Sequence, residues 1–251
     1  MYVPAAERTM RILERLARGG AATPSEVGRD LELPRVSVSR VLKTLTTLGY
    51  AWCDDETNRY ALTAKLFSLA SDIGSLQSAR VARSHLARLR DETGETVEFA
   101  VCDGDELLMV DVLDGPASIR LFAQPGTRFP LYLLATGLAL LAGEEATEIR
   151  TVFRRLPAKQ RRRVPGGGLK GLLAELAGIR AQGYSLDRRR VREDVERVAA
   201  PVFGPDGRVV AAVGIAGPAY RLVPTPEVIG HVQSAAQAIS ADLGAMRLSY
   251  E

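Results

Sequence analysis

The pattern of apolar and polar positions in residues 1–62 predicts three short helices followed by a β-hairpin. Apolar side chains recur at helical spacing over residues 10–17, and Gly19-Gly20 ends that helix. The run Thr23-Pro24-Ser25-Glu26 combines an N-cap residue, a proline at the first helical position and a capping-box glutamate, so a second helix begins there. A third helix is expected over 35–48, and short alternating segments on both sides of 54–58 predict the hairpin. This order is typical of a winged helix-turn-helix, whose third helix enters the major groove of DNA.

The remainder of the chain alternates between helix-like and strand-like segments. Residues 63–77 carry one apolar stripe at helical spacing and predict a linker helix. Beyond it the pattern predicts strands at 96–102, 106–113 and 118–123, helices at 78–91, 130–142, 143–156, 171–181 and 225–243, and a hairpin of 197–203 with 209–215. An antiparallel sheet with helices packed on it belongs to the α+β class. We therefore expect a winged helix-turn-helix at 1–62, a linker helix at 63–77 and a second domain at 78–251.

Composition narrows the class of protein. A chain of 251 residues that is 46% hydrophobic and 25% charged is typical of a globular protein, which excludes a disordered polymer and a disulfide miniprotein. The first residues lack the features of a signal peptide, and the longest apolar run, 129–142, is shorter than the roughly 18–20 residues of a membrane span. We expect a cytoplasmic protein that makes no contact with a membrane.

The sequence also lacks the common signatures of metal sites and enzymes. Cys53, His85, Cys102 and His231 are scattered, whereas a zinc site needs three or four close ligands. Residues 166–170 lack the spacing of a P-loop, and neither a G-x-S-x-G nor an H-E-x-x-H motif is present. We therefore expect no metal, no cofactor and no catalytic activity.

Charge placement favours DNA binding more than the total charge does. The formal net charge is only +3, but residues 33–53 contain Arg35, Arg40 and Lys43 and no acid. Positive charge on the third helix suits phosphates and base edges. The candidate DNA contacts are Ser25, Arg35, Val36, Ser37, Ser39, Arg40, Lys43 and, at the tip of the wing, Asn58 and Arg59. Two alternatives stay open: Arg40 as an ion-pair partner, and the helix-turn-helix as a protein-interaction module.

The densest positive charge lies elsewhere, in residues 154–192. Twelve Lys and Arg side chains stand there against Glu175 and Asp187. Such a run can bind a polyanion, or it can be a solvated surface that acids elsewhere in the chain neutralise. The second interpretation is favoured.

Particular motifs resemble the isocitrate lyase regulator (IclR) family. Residues 33–45, then Gly49-Tyr50 and Tyr60-Ala61-Leu62, resemble its DNA-binding domain. Residues 93–96, 130–142, 183–187, 199–202 and 217–218 resemble, in the same order, its effector domain, a GAF-like sensor of small molecules. The resemblance covers nearly the whole chain and implies a winged helix-turn-helix, a linker helix and a C-terminal GAF-like domain with an antiparallel sheet.

The resemblance also implies an effector site between the sheet and the helix that begins near Ala135. Its lining would be Leu131, Ala135, Thr136, Asp187, Val195, Arg197, Gly214 and Ala216. The family often has a cysteine where Arg197 stands, and members that bind small oxo-acids have serines at Gly214 and Ala216. With Gly214 and Ala216 in place of those serines, the site has two hydroxyl donors fewer and more space. We therefore expect an effector larger or more apolar than glyoxylate or pyruvate. An aromatic or acyl carboxylate with Arg197 as counter-ion is one hypothesis, and Arg197 facing solvent is the alternative.

Together these features predict a ligand-responsive bacterial transcriptional regulator that binds a pseudo-palindromic operator. Its effector would be a small organic acid or an aromatic or acyl metabolite, and the resemblance implies a homodimer or a dimer of dimers. The alternative is a sensing or protein-interaction module that does not bind DNA.

Overall fold

The computed structural model describes residues 2–66, 69, 74–189 and 191–248. Its contacts divide the chain into two compact units, Met1–Ile73 and Gly74–Glu251. Much of the predicted linker helix, namely 67–68 and 70–73, lies outside the described residues, while Lys65 and Leu66 are helical.

The first unit contains three helices and a two-stranded antiparallel hairpin. These are α1 (Pro4–Gly19), α2 (Pro24–Leu31), α3 (Arg35–Thr47), β1 (Ala51–Asp54) and β2 (Arg59–Leu62). Their shared core consists of Ile12, Leu16, Ala22, Val27, Val38, Leu42, Leu45, Ala51 and Tyr60. Met10, the first residue of the apolar stripe predicted over 10–17, is 56% exposed, because α1 contacts α2, α3 and β2 through the face of Ile12 and Leu16.

Local chemistry explains how α2 and α3 begin and meet. The Thr23 hydroxyl accepts from the Glu26 N–H at 3.3 Å, and the Thr23 N–H donates to the Glu26 carboxylate at 2.8 Å, which confirms the capping box. Between the helices, Glu32 adopts the left-handed region with φ 56°, and the Leu33 N–H donates to the Gly28 carbonyl at 2.8 Å. A Cβ at Gly28 would lie 2.8 Å from the Leu33 carbonyl oxygen, so the turn requires glycine there.

The second unit has an antiparallel six-stranded sheet. In chain order its elements are α4 (Gly74–Thr93), β3 (Thr96–Asp103), β4 (Glu106–Leu113), β5 (Arg128–Pro130), α5 (Ala135–Leu141), α6 (Ala146–Arg155), α7 (Ala158–Arg161), a 3₁₀ turn (Pro165–Gly167), α8 (Leu169–Gln182), β6 (Ser185–Arg188), β7 (Val195–Phe203), β8 (Val209–Pro218) and α9 (Pro226–Leu248). The strand order is β5-β4-β3-β8-β7-β6. Strands far apart in sequence, β3 and β8, therefore pair at the centre.

Helices cover both faces of this sheet, and the alternation of side chains along each strand separates two cores. On β3, Phe99 packs with α4 and α9, whereas Ala100 packs with α5 and α8. On the central strands, the residues that alternate with Phe99 and the other residues of its core therefore face α5. This arrangement confirms the expected α+β class, with an antiparallel sheet in the C-terminal part.

Several predicted boundaries were wrong. Residues 118–123 are not a strand: the carbonyls of Ile119 and Leu121 accept side-chain hydrogen bonds from Arg221 and Thr96, and Arg128–Pro130 pairs with β4 instead. The helix expected over 130–142 begins only at Ala135, after a turn. Strand β6 and the short helix α7 were not predicted.

Candidate DNA-binding surface and effector site

Helix α3 exposes the cationic face that its sequence indicated. Val38, Leu42 and Leu45 face the core, while Arg35, Val36, Arg40 and Lys43 are exposed and Ser37 and Ser39 are partly exposed. Neither Arg35, Arg40 nor Lys43 forms an ion pair with any residue that the structure describes. No described acid therefore supports the alternative role of Arg40 as an ion-pair partner.

Ser25 and the wing border this helix in the same unit. Ser25 is exposed in the first turn of α2, beside Glu26, whose pKa is lowered by the N–H of Thr23 and further by Arg59. Asn58 is exposed at the wing tip with φ 51°. The guanidinium of Arg59 instead donates to the Ala21 carbonyl at 2.7 Å and lies 3.4 Å from Glu26, so it ties the wing to the segment before α2.

Trp52 is a candidate contact that sequence reasoning missed. It lies on β1 and is 50% exposed, whereas its neighbour Ala51 is buried. The alternation along this short strand was visible in the sequence and could have placed the indole on the outer face of the wing.

In the second unit, the eight predicted effector-site residues are all buried. They are Leu131, Ala135, Thr136, Asp187, Val195, Arg197, Gly214 and Ala216. Strand pairing sets Arg197 between Asp187 on β6 and Ala216 on β8, while Gly214 pairs with Glu98 on β3. The structure thus brings residues from four strands together on the side of the sheet that faces α5.

Arg197 points into this layer rather than to solvent. Its Nη1 donates to Asp187 Oδ2 at 3.0 Å, and its Nε lies 3.9 Å from Glu98 Oε1, beyond hydrogen-bonding distance. Among the described residues, neither Arg197 Nε nor the Thr136 hydroxyl has a hydrogen-bond partner. The counter-ion expected for a carboxylate effector is therefore already bonded to an acid of the protein.

Glu98 is the buried acid that the sequence did not reveal. It is 2% exposed, and burial raises its pKa; nearby Arg197 opposes this effect and Asp187 reinforces it. A single acid within the apolar run of β3 was the only available signal, and its neighbours Asp187 and Arg197 are 89 and 99 residues further along the chain.

The room expected at Gly214 is already occupied. A Cβ there would lie 2.7 Å from the Val198 carbonyl oxygen, 2.9 Å from Ala199 Cβ and 3.1 Å from Thr136 Cγ2. The absent side chain consequently allows close packing of β7, β8 and α5 instead of enlarging a pocket. Thr136 lies directly against the residue that pairs with Glu98.

Intramolecular contacts occupy part of the basic stretch at 154–192. Arg155 pairs with Asp105 at 3.0 Å, Arg189 pairs with Glu196 at 3.2 Å, and Arg180 donates to the carbonyls of Ala142 and Glu144. These contacts agree with a solvated surface neutralised by acids elsewhere. In the described parts of the chain, no cluster of three or more His, Cys, Asp or Glu side chains suits a metal ion, and no helix has the length and hydropathy to cross a membrane.

Family models match both parts of the chain. The model of the IclR helix-turn-helix domain matches residues 5–52, and that of the bacterial transcriptional regulator IclR C-terminal domain matches residues 70–241. The chain belongs to the IclR family of bacterial transcriptional regulators.

Similar proteins extend this assignment over nearly the whole chain. The HTH-type transcriptional regulator KdgR of Escherichia coli K12 is 29% identical over 93% of this chain and 90% of its own length. The crystal structure of Thermotoga maritima IclR is 25% identical, with a TM-score of 0.72 over 97% of this chain and 100% of that one. An IclR homolog from Microbacterium hydrocarbonoxydans, solved with 4-hydroxybenzoate, is also 25% identical, with a TM-score of 0.78 over 96% of this chain and 99% of that one.

Proposed function

We propose that this IclR-family regulator binds a pseudo-palindromic operator as a homodimer or a dimer of dimers and responds to a small effector held between the sheet and α5. The observation that carries the DNA-binding part is the face of α3, where Arg35, Arg40 and Lys43 are exposed without an ion-pair partner among the described residues. Cations in this setting neutralise phosphates or donate to base edges. A regulator that binds a bacterial operator works in the cytoplasm, and this is the location that we propose.

Two copies are needed because one recognition helix reads too few base pairs for useful specificity in a genome. An effector that binds differently to the free and the DNA-bound states shifts operator affinity by its coupling free energy, typically 5- to 150-fold. The matched family members are transcriptional regulators, which supports a regulator that catalyses no reaction and needs no cofactor.

The effector part of the proposal rests on the buried residues around Arg197. Polar side chains converge there within an otherwise apolar layer, an arrangement typical of small-molecule sites. The related protein solved with 4-hydroxybenzoate supports a small organic or aromatic metabolite as the effector class.

A mobility-shift titration against the DNA upstream of its own gene, at several salt concentrations, tests the DNA-binding part. We expect a specific complex whose affinity falls steeply with salt. Replacement of Arg35 or Arg40 by Ala should weaken it, and loss of a phosphate contact should reduce the salt slope by about 1. Arg208→Ala is the matched control, since this side chain is 86% exposed in the other unit. Absence of a specific complex, or equal binding by all variants, would favour a sensing module that does not bind DNA.

A further inference from the structure

Two buried polar groups of the proposed effector site are separated by a gap that is too long for a hydrogen bond. Arg197 Nε, a donor without a described partner, is 3.9 Å from Glu98 Oε1, an acceptor. The two side chains belong to residues that are 6% and 2% exposed, respectively. Buried polar groups are normally hydrogen-bonded, so a donor left in this state is a place where a further group can bind.

The length of this gap suits one oxygen atom that bonds to both groups. Hydrogen bonds to oxygen span about 2.7–3.0 Å, so an atom placed at that distance from both Arg197 Nε and Glu98 Oε1 fits a separation of 3.9 Å. Such an atom must accept from the guanidinium, and it must also donate to Glu98 when that side chain is ionised or accept from it when it is protonated. A neutral hydroxyl suits both protonation states of Glu98, whereas a carboxylate only accepts and an ammonium only donates.

The surrounding contacts disfavour a carboxylate. Asp187 already accepts from Arg197 Nη1, so a carboxylate would share the guanidinium with one acid and lie close to a second, Glu98. Like charges so close together in a buried site disfavour the ionised form. Thr136, whose buried hydroxyl also has no described partner, lies against Gly214, the residue that pairs with Glu98.

We propose that the effector carries a neutral hydroxyl group, alcoholic or phenolic, that bridges Arg197 Nε and Glu98 in this gap. The proposal deepens the effector part of the proposed function and rests on it.

Matched probes test the proposal. One series is 4-hydroxybenzoate, benzoate and terephthalate, and the other is lactate, propionate and methylmalonate; in each, a hydroxyl is replaced by hydrogen or by a carboxylate. We expect calorimetric titration of the full chain to show tightest binding for the hydroxyl member of at least one series, by about ten- to a hundredfold over the member with hydrogen. Tighter binding of a carboxylate-for-hydroxyl member, or no binding by any probe, overturns the proposal.

Variants at Glu98 test whether this side chain binds the hydroxyl. Glu98→Leu removes the acceptor and should abolish the preference for hydroxyl over hydrogen, whereas Glu98→Gln keeps an acceptor oxygen and should preserve most of it. Glu196→Gln is the matched control, because this buried acid lies on the same sheet and pairs with Arg189 instead. A hydroxyl preference that survives in Glu98→Leu overturns the proposal. A specific operator complex in the same preparations separates this result from failure of the DNA-binding proposal.

Discussion

At the scale of single residues, the charges of the two units face different surroundings. Arg35 and Arg40 are exposed, so solvent screens them and their contribution to folding is small. Glu98, Asp187 and Arg197 are buried, and each depends on its neighbours for compensation of its charge. Replacing the first group should change DNA affinity with little effect on stability, whereas replacing the second should change the stability of its unit.

Glu98→Gln should stabilise the second unit increasingly as pH rises. Because burial raises the pKa of Glu98 in the folded state, the stability that its protonated form contributes is fully present below the unfolded-state pKa. That contribution is lost as pH rises through the folded-state pKa, and glutamine has no such titration. Urea unfolding followed by far-UV circular dichroism between about pH 4.5 and 8 measures the difference. A difference that stays constant or shrinks with pH contradicts the expectation.

Glu26→Gln supplies a control of opposite sign. The pKa of Glu26 is lowered by the Thr23 N–H, so its contribution to stability is present above the unfolded-state pKa and is lost as pH falls. The free energy of unfolding of the parent chain, relative to that of this variant, should therefore rise with pH. Trp52, the only tryptophan of the chain, lies in the first unit, and its fluorescence follows that unit selectively.

Arg197→Met should destabilise the second unit by about 3–5 kcal/mol, because it removes the cation and leaves the buried acids Asp187 and Glu98 uncompensated. The same replacement at exposed Arg208 is the control and should change stability by less than about 0.5 kcal/mol. Urea unfolding by circular dichroism compares the two. Equal effects of both replacements would show that Arg197 does not compensate the buried acids.

At the scale of elements, two helical glycines respond in opposite ways to a methyl group. Gly28→Ala should destabilise the first unit by about 1–3 kcal/mol, because its Cβ would lie 2.8 Å from the Leu33 carbonyl oxygen in the turn before α3. Gly178→Ala in α8 should stabilise the second unit by up to about 1 kcal/mol, since no described atom lies within 4 Å of that Cβ apart from its chain neighbours and the helix's own backbone. Unfolding of the Gly28→Ala variant is measured by Trp52 fluorescence, and unfolding of the Gly178→Ala variant is measured by circular dichroism. Stabilisation by Gly28→Ala would show that the turn can widen.

Elements with local signals could be predicted from the sequence, and those set by distant partners could not. The Thr23–Glu26 capping box places the start of α2 within four residues, so α2 was read correctly. Residues 118–123 alternate like a strand but pair with no strand in the described parts of the chain, and the side chains of Thr96 and Arg221 donate to the carbonyls of Leu121 and Ile119 instead. The contact between Glu98 and Arg197 depends on the pairing of β3 and β7 with β8, which no local pattern contains.

At the scale of the whole molecule, the two units supply different parts of one proposed response. The first presents cations without ion-pair partners among the described residues, and the second holds a buried polar cluster on the side of its sheet that faces α5. Residues 63–77 join them along the chain. Any effect of the effector on DNA affinity must therefore arise from a state that both units share, through this segment or through the proposed dimer.

The proposed dimer makes the spacing of operator half-sites a testable quantity. Half-sites bound by one dimer lie on the same face of DNA, which turns once in about 10–10.5 base pairs. Inserting 5 base pairs between them should rotate one half-site to the opposite face and weaken binding at least about tenfold, because only one recognition helix then finds its bases.

A 5-base-pair insertion outside the half-sites is the matched control and should leave affinity unchanged. Mobility shifts at one fixed salt concentration compare the three DNAs. Unchanged affinity with the central insertion would mean that each half-site is bound independently, which contradicts a dimer that reads both half-sites at once.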